Sequence, residues 1–166
     1  MQINLVADRI VVGVDDTAPS EAAALWAAEE ARRRGAILEL VHVVTVDVPA
    51  AAVFMPLPMT GSPEYVAAGQ WLDDFTQQLG VTDLVTIQRL ECGTPGTVLP
   101  VLAEGAALLV VGAHPHRELF GITRGSTADE CLRSSSCPVV VVPEVAVATS
   151  AGDESRVAAP QLPVEG

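Results

Sequence analysis

The chain has 166 residues, 49% of them hydrophobic, and a formal net charge of -12 at pH 7. This length and apolar content suit one globular domain with a tail. This strongly negative charge leaves no basic stripe for nucleic acid or an anionic membrane, and all nine basic residues are arginines. The chain therefore has no lysine for a Walker-type loop, a Schiff base or a lysine-based kinase site.

The sequence shows no signal for export or for membrane insertion. No apolar run approaches the roughly 18 residues that a membrane-spanning helix needs, and the start lacks a basic region followed by a long apolar one. The three cysteines, Cys92, Cys131 and Cys137, form no C-x-x-C pair, which disfavours a disulfide framework and a zinc site. We therefore expect a soluble, cytoplasmic protein.

Apolar runs and helical periodicities alternate along the chain. Runs that stop at a glycine or a turn are typical of strands buried on both faces of a parallel sheet, and apolar positions at helical spacing predict the connecting helices. Capping residues, first-turn prolines and glycines place the helix ends. The predicted strands are 9–14, 37–44, 84–90, 108–112 and 139–142, and the predicted helices are 17–34, 63–79, one opening at Gly93-Thr94-Pro95, and 126–134.

Three places in the chain depart from this regular pattern. Pro100 falls inside the third helix and should kink it or delay its start, because proline has no amide. Residues 45–62 are rich in proline and apolar side chains, and we interpret them as a mobile insertion, with a lid or contact surface as the alternative. Residues 144–166 have no periodicity and are predicted to form a disordered tail, which leaves 8–143 as the domain.

Strands that alternate with helices predict an α/β fold, a single-domain three-layer sandwich with a five-stranded parallel sheet and right-handed crossovers. If the first strand lies centrally beside the fourth, the strand order is 3-2-1-4-5, a Rossmann-like arrangement. Ligands of such sheets bind at the carboxyl ends of the strands where the order reverses. Asp15 and Gly112 stand at that point, so two distant stretches should line one site.

A second candidate feature is the helix start at Gly125-Ser126-Thr127. Unpaired backbone amides at a helix start are suited to holding phosphate. Ser126 and Asp129 also form a capping-box-like pattern, which would satisfy the helix start without a ligand. In the same way, Asp15 could simply hold the turn after the first strand, so both interpretations stay open.

Together these motifs resemble the universal stress protein family. The resemblance covers about residues 8–143 and rests on Val-Val-Gly-Val-Asp-Asp-Thr, Leu-Val-His-Val, Leu-Leu-Val-Val-Gly, Gly-Ser-Thr and Cys-Pro-Val-Val-Val-Val-Pro. It implies an adenine nucleotide alpha hydrolase-like sheet of order 3-2-1-4-5 and homodimers often joined through the last strand. In one branch it also implies ATP binding without dedicated catalytic machinery.

That branch carries a G-x-x-G pattern followed, after nine residues, by G-[ST]. Here the frame begins at Gly112 and the spacing to Gly125-Ser126 is intact, but the second glycine is Pro115. Proline fixes φ at about −65° and offers no amide, whereas glycine allows positive φ. One phosphate donor is therefore lost.

Carried over to matching positions, the resemblance implies a set of binding residues. Asp15 would contact the ribose or adenine side, and the backbone near Val43 would contact the adenine. Ribose and phosphates would be held by Gly112, Gly125, Ser126 and Thr127.

Metal ligands and catalytic groups are not evident in the chain. His114 and His116 are interpreted as surface residues, and a magnesium or manganese ion would instead be carried by the phosphates of ATP. Arg117 and Arg124 either replace the lost phosphate donor or stay solvated. No nucleophile–base–orienter set occurs, so we expect no enzyme, with weak ATP hydrolysis as a lesser hypothesis.

Two functions of different class follow. The leading hypothesis is a dimeric stress-response module that binds ATP, and the alternative is a nucleotide-free protein-interaction subunit, suggested by Pro115 and the apolar 45–62 segment. Val139–Val142 is an uncharged, β-branched strand that should lie at the sheet edge and need a partner. We therefore expect a homodimer through this strand, with a protein partner also open and no nucleic acid or membrane partner.

Overall fold

A computed structural model describes residues 8–45, 61–113 and 127–143. Strands and helices alternate along these residues, as predicted. The elements are β1 (Arg9–Gly13), α1 (Ala18–Arg34), β2 (Ile37–Val44), α2 (Pro63–Leu79), β3 (Thr86–Cys92), α3 (Pro95–Leu102), β4 (Leu108–Ala113), α4 (Thr127–Ser134) and β5 (Val139–Pro143). Most of the predicted 45–62 loop and the predicted tail, 144–166, lie outside the described residues, so their assigned roles stay predictions.

The five strands form one parallel sheet in the order β3-β2-β1-β4-β5. This confirms the predicted α/β class and strand order. The central strand β1 is buried on both faces: Ile10 and Val12 belong to one hydrophobic cluster and Val11 to the other, and all three are 0% exposed. The sheet therefore has a helical layer on each side.

The two helical layers are built differently. On one face, α1 lies mainly over β1, β4 and β5 and α2 over β2 and β3; α3 and α4 cover the other face. The buried stripe of α1 is almost entirely alanine, so this helix can approach the strands closely. The helices α1 and α2 begin and end at predicted signals, with a first-turn proline at the start and a glycine at the end. The Ser62 hydroxyl caps α2 by accepting from the Tyr65 amide at 3.2 Å. Within the described residues, none of the helices is long and apolar enough to cross a membrane.

Some local predictions were wrong. The third strand starts at Thr86 rather than at Leu84, because the Leu84 amide donates to the Val81 carbonyl in a preceding turn (3.1 Å). The start of α3 is not delayed: the helix begins at Pro95 and includes Pro100, whose missing amide removes one helical hydrogen bond. The helix ends at Leu102, so the buried Ala103 and Ala106 join the hydrophobic core from the segment that follows the helix.

A buried carboxylate lies in the sheet at the end opposite to the strands' carboxyl ends. Glu39 is 0% exposed, and its two oxygens accept from Arg9 Nη1 at 2.6 Å and from Arg89 Nε at 2.7 Å. A buried charge is tolerated only when it is paired and hydrogen-bonded. Arg9 also donates to the Leu102 carbonyl at 2.9 Å and the Glu104 carbonyl at 3.0 Å, so this network ties three strands to the end of α3.

Candidate functional site

The carboxyl ends of β1, β2 and β4 meet at a cleft between the two helical layers. Its empty volume is about 450 Å³. Because β1 lies between β2 and β4 and the chain crosses to opposite faces on either side of it, the helices diverge here, and no described helix covers the strand ends. The lining residues are Gly13, Val14, Asp15, Ser20, Val41, Val43, Pro95, Leu99, Val111, Gly112 and Thr127.

The structure brings four of the six predicted binding residues together. Asp15, Val43, Gly112 and Thr127 all line this cleft, although they are far apart in the sequence. Gly125 and Ser126 lie outside the described residues. The expected meeting of the β1 and β4 ends is therefore present, while the binding role of each residue stays a prediction.

The loop between β4 and α4 also carries predictions that the structure does not address. Pro115, with His114 and His116, lies outside the described residues, as do Arg117 and Arg124. Their assignments as a lost phosphate donor, surface side chains and phosphate clamps therefore stay predictions.

Asp15 holds the turn between β1 and α1. Its carboxylate Oδ1 accepts from the Thr17 amide at 3.1 Å and from the Thr17 hydroxyl, and its own amide donates to Ser20 Oγ at 2.7 Å. Thr17 is the N-cap residue of α1, but its side chain bonds to Asp15 and not to a helix amide. The turn role predicted as one alternative is thus present, and it fixes the half-buried Asp15 carboxylate at the mouth of the cleft.

Gly112 is required by packing. A Cβ added at this residue would lie 2.6 Å from the carbonyl carbon and oxygen of Pro19 and 2.9 Å from the Ser20 amide nitrogen. These are backbone atoms of the first turn of α1 and cannot move aside as a flexible side chain could. Glycine at the end of β4 therefore lets α1 start directly against the strand, whether or not a ligand is bound.

The floor of the cleft is apolar and its rim is polar. Val41, Leu99 and Val111 are 0%, 2% and 3% exposed, whereas Asp15 and Thr127 at the rim offer oxygen atoms. A concave apolar surface with a few placed polar groups is typical of sites for small organic ligands. The sequence did not reveal Val41, Leu99 or Ser20 as lining residues, although Val41 shares a strand face with Val43.

The charge at this cleft is negative among the described residues. Asp15 is the one charged side chain in the described lining, and Asp129 and Glu130 stand in the first turn of α4. Glu130 packs against Gly96, so closely that its carboxylate would clash with a Cβ there. The Glu130 carboxylate therefore lies against the first turn of α3. A helix N-terminus favours negative charge, and here a carboxylate of the chain itself lies beside it.

The nearby thiol and imidazole are held in structural positions. Burial, followed by the charges of Glu130 and Cys137, raises the pKa of the Cys131 thiol to about 11, so it stays protonated at neutral pH. His42 Nδ1 donates to the Val14 carbonyl at 2.8 Å, and the ring lies 4.6 Å from that of Trp71. His42 therefore supports the β1–α1 turn from the adjacent strand.

Comparison with known proteins relates the chain to one family. It matches the universal stress protein family over residues 7–143. A universal stress protein of Mycobacterium tuberculosis is 31% identical over 147 residues, which cover 80% of this chain and 47% of that protein. A universal stress protein of Mycolicibacterium smegmatis is 33% identical over 138 residues, with the same coverage of 80% and 47%. The chain thus spans about half the length of the curated relatives it matches.

Solved structures show the same fold. A universal stress protein in complex with cAMP is 25% identical, with a TM-score of 0.60, and the match covers 83% of this chain and 98% of that chain. A universal stress protein from Archaeoglobus fulgidus is 21% identical, with a TM-score of 0.61, and the match covers 81% and 93%. The adenine nucleotide alpha hydrolase-like fold implied by the sequence resemblance agrees with these neighbours.

The Gly112 contact can be tested by substitution. Gly112→Ala should lower the free energy of unfolding by about 2 kcal/mol, because the new methyl group forces α1 away from β4. Urea denaturation of wild type and variant measures the difference. Gly61→Ala is the control: a Cβ at Gly61 would meet no atom of the described residues within 4 Å, and this change should alter stability by less than about 0.5 kcal/mol. Equal stability of Gly112→Ala and wild type would show that the contact is not tight.

Proposed function

Because the chain belongs to the universal stress protein family, we propose that it is a cytoplasmic stress-response protein that binds an adenine nucleotide, ATP, at the carboxyl ends of β1 and β4. The observation that carries the proposal is the meeting of Asp15, Val43, Gly112 and Thr127 around one cleft. The cAMP complex of a structural neighbour supports an adenine nucleotide as the ligand class. The three described cysteines are free, which suits a reducing compartment.

Each part of the nucleotide has suitable partners in the cleft. The apolar floor of Val41, Val43 and Leu99 offers a surface for the adenine ring. The Asp15 carboxylate can accept hydrogen bonds from ribose hydroxyls. The phosphates would lie toward Thr127, where the first amides of α4 point out of the helix.

The acidic surroundings bear on the phosphates. Asp129 and Glu130 in the first turn of α4 oppose the negative charge of a triphosphate placed at that helix start. A magnesium or manganese ion carried by the phosphates would offset this repulsion. We therefore expect binding of ATP to be stronger with a divalent cation than without one.

The protein would act through binding and not through catalysis. His42 is engaged with the Val14 carbonyl, and the raised pKa of Cys131 keeps its thiol protonated at neutral pH. Neither side chain is thus placed as a base or nucleophile at the cleft. A regulatory module that changes its interactions when nucleotide binds fits these residues better than a hydrolase.

Substitution of Asp15 tests the nucleotide proposal. Asp15→Asn should weaken binding of ATP with magnesium about tenfold, because a hydrogen bond to a charged acceptor becomes one to a neutral acceptor. Equilibrium dialysis measures the dissociation constant. Asp8→Asn, which changes an exposed carboxylate before β1 at the opposite end of the sheet, should leave affinity unchanged. No binding by the wild type at millimolar nucleotide, with or without metal, would reject the proposal.

The nucleotide-free interaction subunit remains the second candidate, because Pro115 removes one amide from the phosphate-binding pattern of the family. This alternative expects weak or absent binding by the wild type and a gain of nucleotide affinity in Pro115→Gly. A wild-type protein that already binds ATP tightly, with no gain in Pro115→Gly, would reject it.

We also propose that the chain forms a homodimer through β5. This strand lies at the edge of the sheet, and its four consecutive valines are uncharged and β-branched. An edge of this kind offers unpaired amides and carbonyls to a second strand, and natural proteins normally protect such edges with charge or with a partner. A second copy related by twofold symmetry satisfies both edges at once.

A charge at this edge should prevent the dimer. Val141→Lys is expected to convert a dimeric wild type into a monomer, because pairing would bury the added ammonium group. Sedimentation velocity at micromolar concentration measures the molecular mass. Val101→Lys on α3, where the side chain is 61% exposed, is the control and should stay dimeric. A monomeric wild type, or a dimeric and folded Val141→Lys, would contradict the proposed interface.

A further inference from the structure

A second concave surface lies on the outer side of the helical layer formed by α1 and α2. Because α1 lies mainly over β1, β4 and β5 and α2 over β2 and β3, a groove with an empty volume of about 740 Å³ separates them. We call it the interhelical groove. Its lining includes Asp16, Glu21 and Leu25 from the α1 side and Trp71, Phe75 and Leu79 from α2.

One wall of the interhelical groove is aromatic. Trp71 and Phe75 follow each other by one turn of α2, and their rings stack with centroids 5.1 Å apart and planes inclined by 28°. His42 supports Trp71 from the sheet, with ring centroids 4.6 Å apart, so the indole is held in place. Leu25 on the opposite side is 52% exposed. The groove thus has a preformed, partly accessible apolar surface.

The lip of the interhelical groove is acidic. Asp16 and Glu21 are exposed at the start of α1, and no arginine is among the described lining residues. Arginines farther along α1 are already paired with carboxylates: Arg32 with Asp83 at 2.6 Å and Arg34 with Glu30 at 2.6 Å. Carboxylates therefore flank the aromatic wall, and none of the described arginines lies in the groove to pair with them.

We propose that the interhelical groove binds an arginine-bearing segment of a partner protein. A guanidinium group stacks on aromatic faces, forms paired hydrogen bonds with carboxylates and loses less hydration than an ammonium group. Its three methylene groups can lie along apolar side chains such as Leu25 and Leu79. Arginine is thus the side chain that uses both the aromatic wall and the acidic lip.

Charge favours a basic partner protein over the two other possible occupants of the groove, a second copy of the chain and residues 46–60. A second copy of the chain already has the uncharged β5 edge as its proposed contact, and with a net charge of -12 it does not complement the acidic Asp16 and Glu21. Residues 46–60 of the chain itself include no basic residue and cannot supply the complementary charge. A separate, basic partner is the complementary choice, and this proposal does not depend on nucleotide binding in the cleft.

The test uses a synthetic peptide, acetyl-Ala-Leu-Arg-Ala-Leu-Arg-Ala-amide, and the same peptide with citrulline in place of arginine. Isothermal titration calorimetry at low salt measures both affinities for the full chain. We expect the citrulline peptide to bind at least about tenfold more weakly, because it keeps the shape and loses the charge. The double variant Asp16→Asn with Glu21→Gln should weaken the arginine peptide by a similar factor.

A matched control removes the same charge elsewhere. The double variant Asp8→Asn with Glu104→Gln changes two exposed carboxylates away from the groove and should keep the peptide affinity within about twofold. Trp71→Leu should weaken binding of the arginine peptide, and circular dichroism would verify its fold. Because Asp16 and Glu21 are exposed, their double variant tests the proposal even if Trp71→Leu fails to fold.

Several results would overturn the proposal. These are no binding of the arginine peptide at millimolar concentration, equal affinity for the citrulline peptide, or equal loss of affinity in the two double variants. Self-association of the wild type that the Asp16→Asn, Glu21→Gln variant abolishes would assign the groove to a second copy and would also reject it.

Discussion

The backbone contact between Gly112 and Pro19 is the constraint on which the cleft depends. The end of β4 and the first turn of α1 are so close that a single added carbon would lie 2.6 Å from the Pro19 carbonyl. The helix can lie this close because, beyond Pro19 and Ser20 in its first turn, its buried side chains are all alanine. As a result, the β1–α1 turn with Asp15 and the end of β4 face the same space, and α4 begins at Thr127 on the other side of it.

The two ends of the sheet have different chemistry. At the carboxyl ends of the strands, polar rim groups surround an apolar floor, which is the arrangement of a ligand site. At the amino ends, Glu39 is closed off by Arg9 and Arg89, so its charge is used within the fold. Asp15 belongs both to the cleft and to the interhelical groove. A ligand in the cleft and a partner in the groove would therefore meet the same turn.

The sequence predicted the parts of this structure that depend on local pattern. Buried apolar runs gave the strands, and the position of Asp15 and Gly112 after two of them gave the cleft. Periodicity could not show contacts between distant residues: Glu39 pairs with Arg9 and Arg89, which lie 30 and 50 positions away. For the same reason the sequence placed Gly112 at the end of a strand and beside a ligand but not against Pro19, because only the folded chain brings the two residues together. Leu84 was wrongly placed in the third strand because an apolar residue next to a strand has the same pattern whether it continues the strand or belongs to the preceding turn.

Binding of an adenine nucleotide at the switch point between β1 and β4 is tested most directly by nuclear magnetic resonance. Isotope-labelled protein would be titrated with ATP and magnesium while amide chemical shifts are followed residue by residue. The largest shifts should fall on Asp15, Val43, Gly112 and Thr127, while the amide of Glu39 at the opposite end of the sheet stays unchanged. Shifts confined to residues outside the cleft, or no shift at millimolar nucleotide, would contradict the assignment.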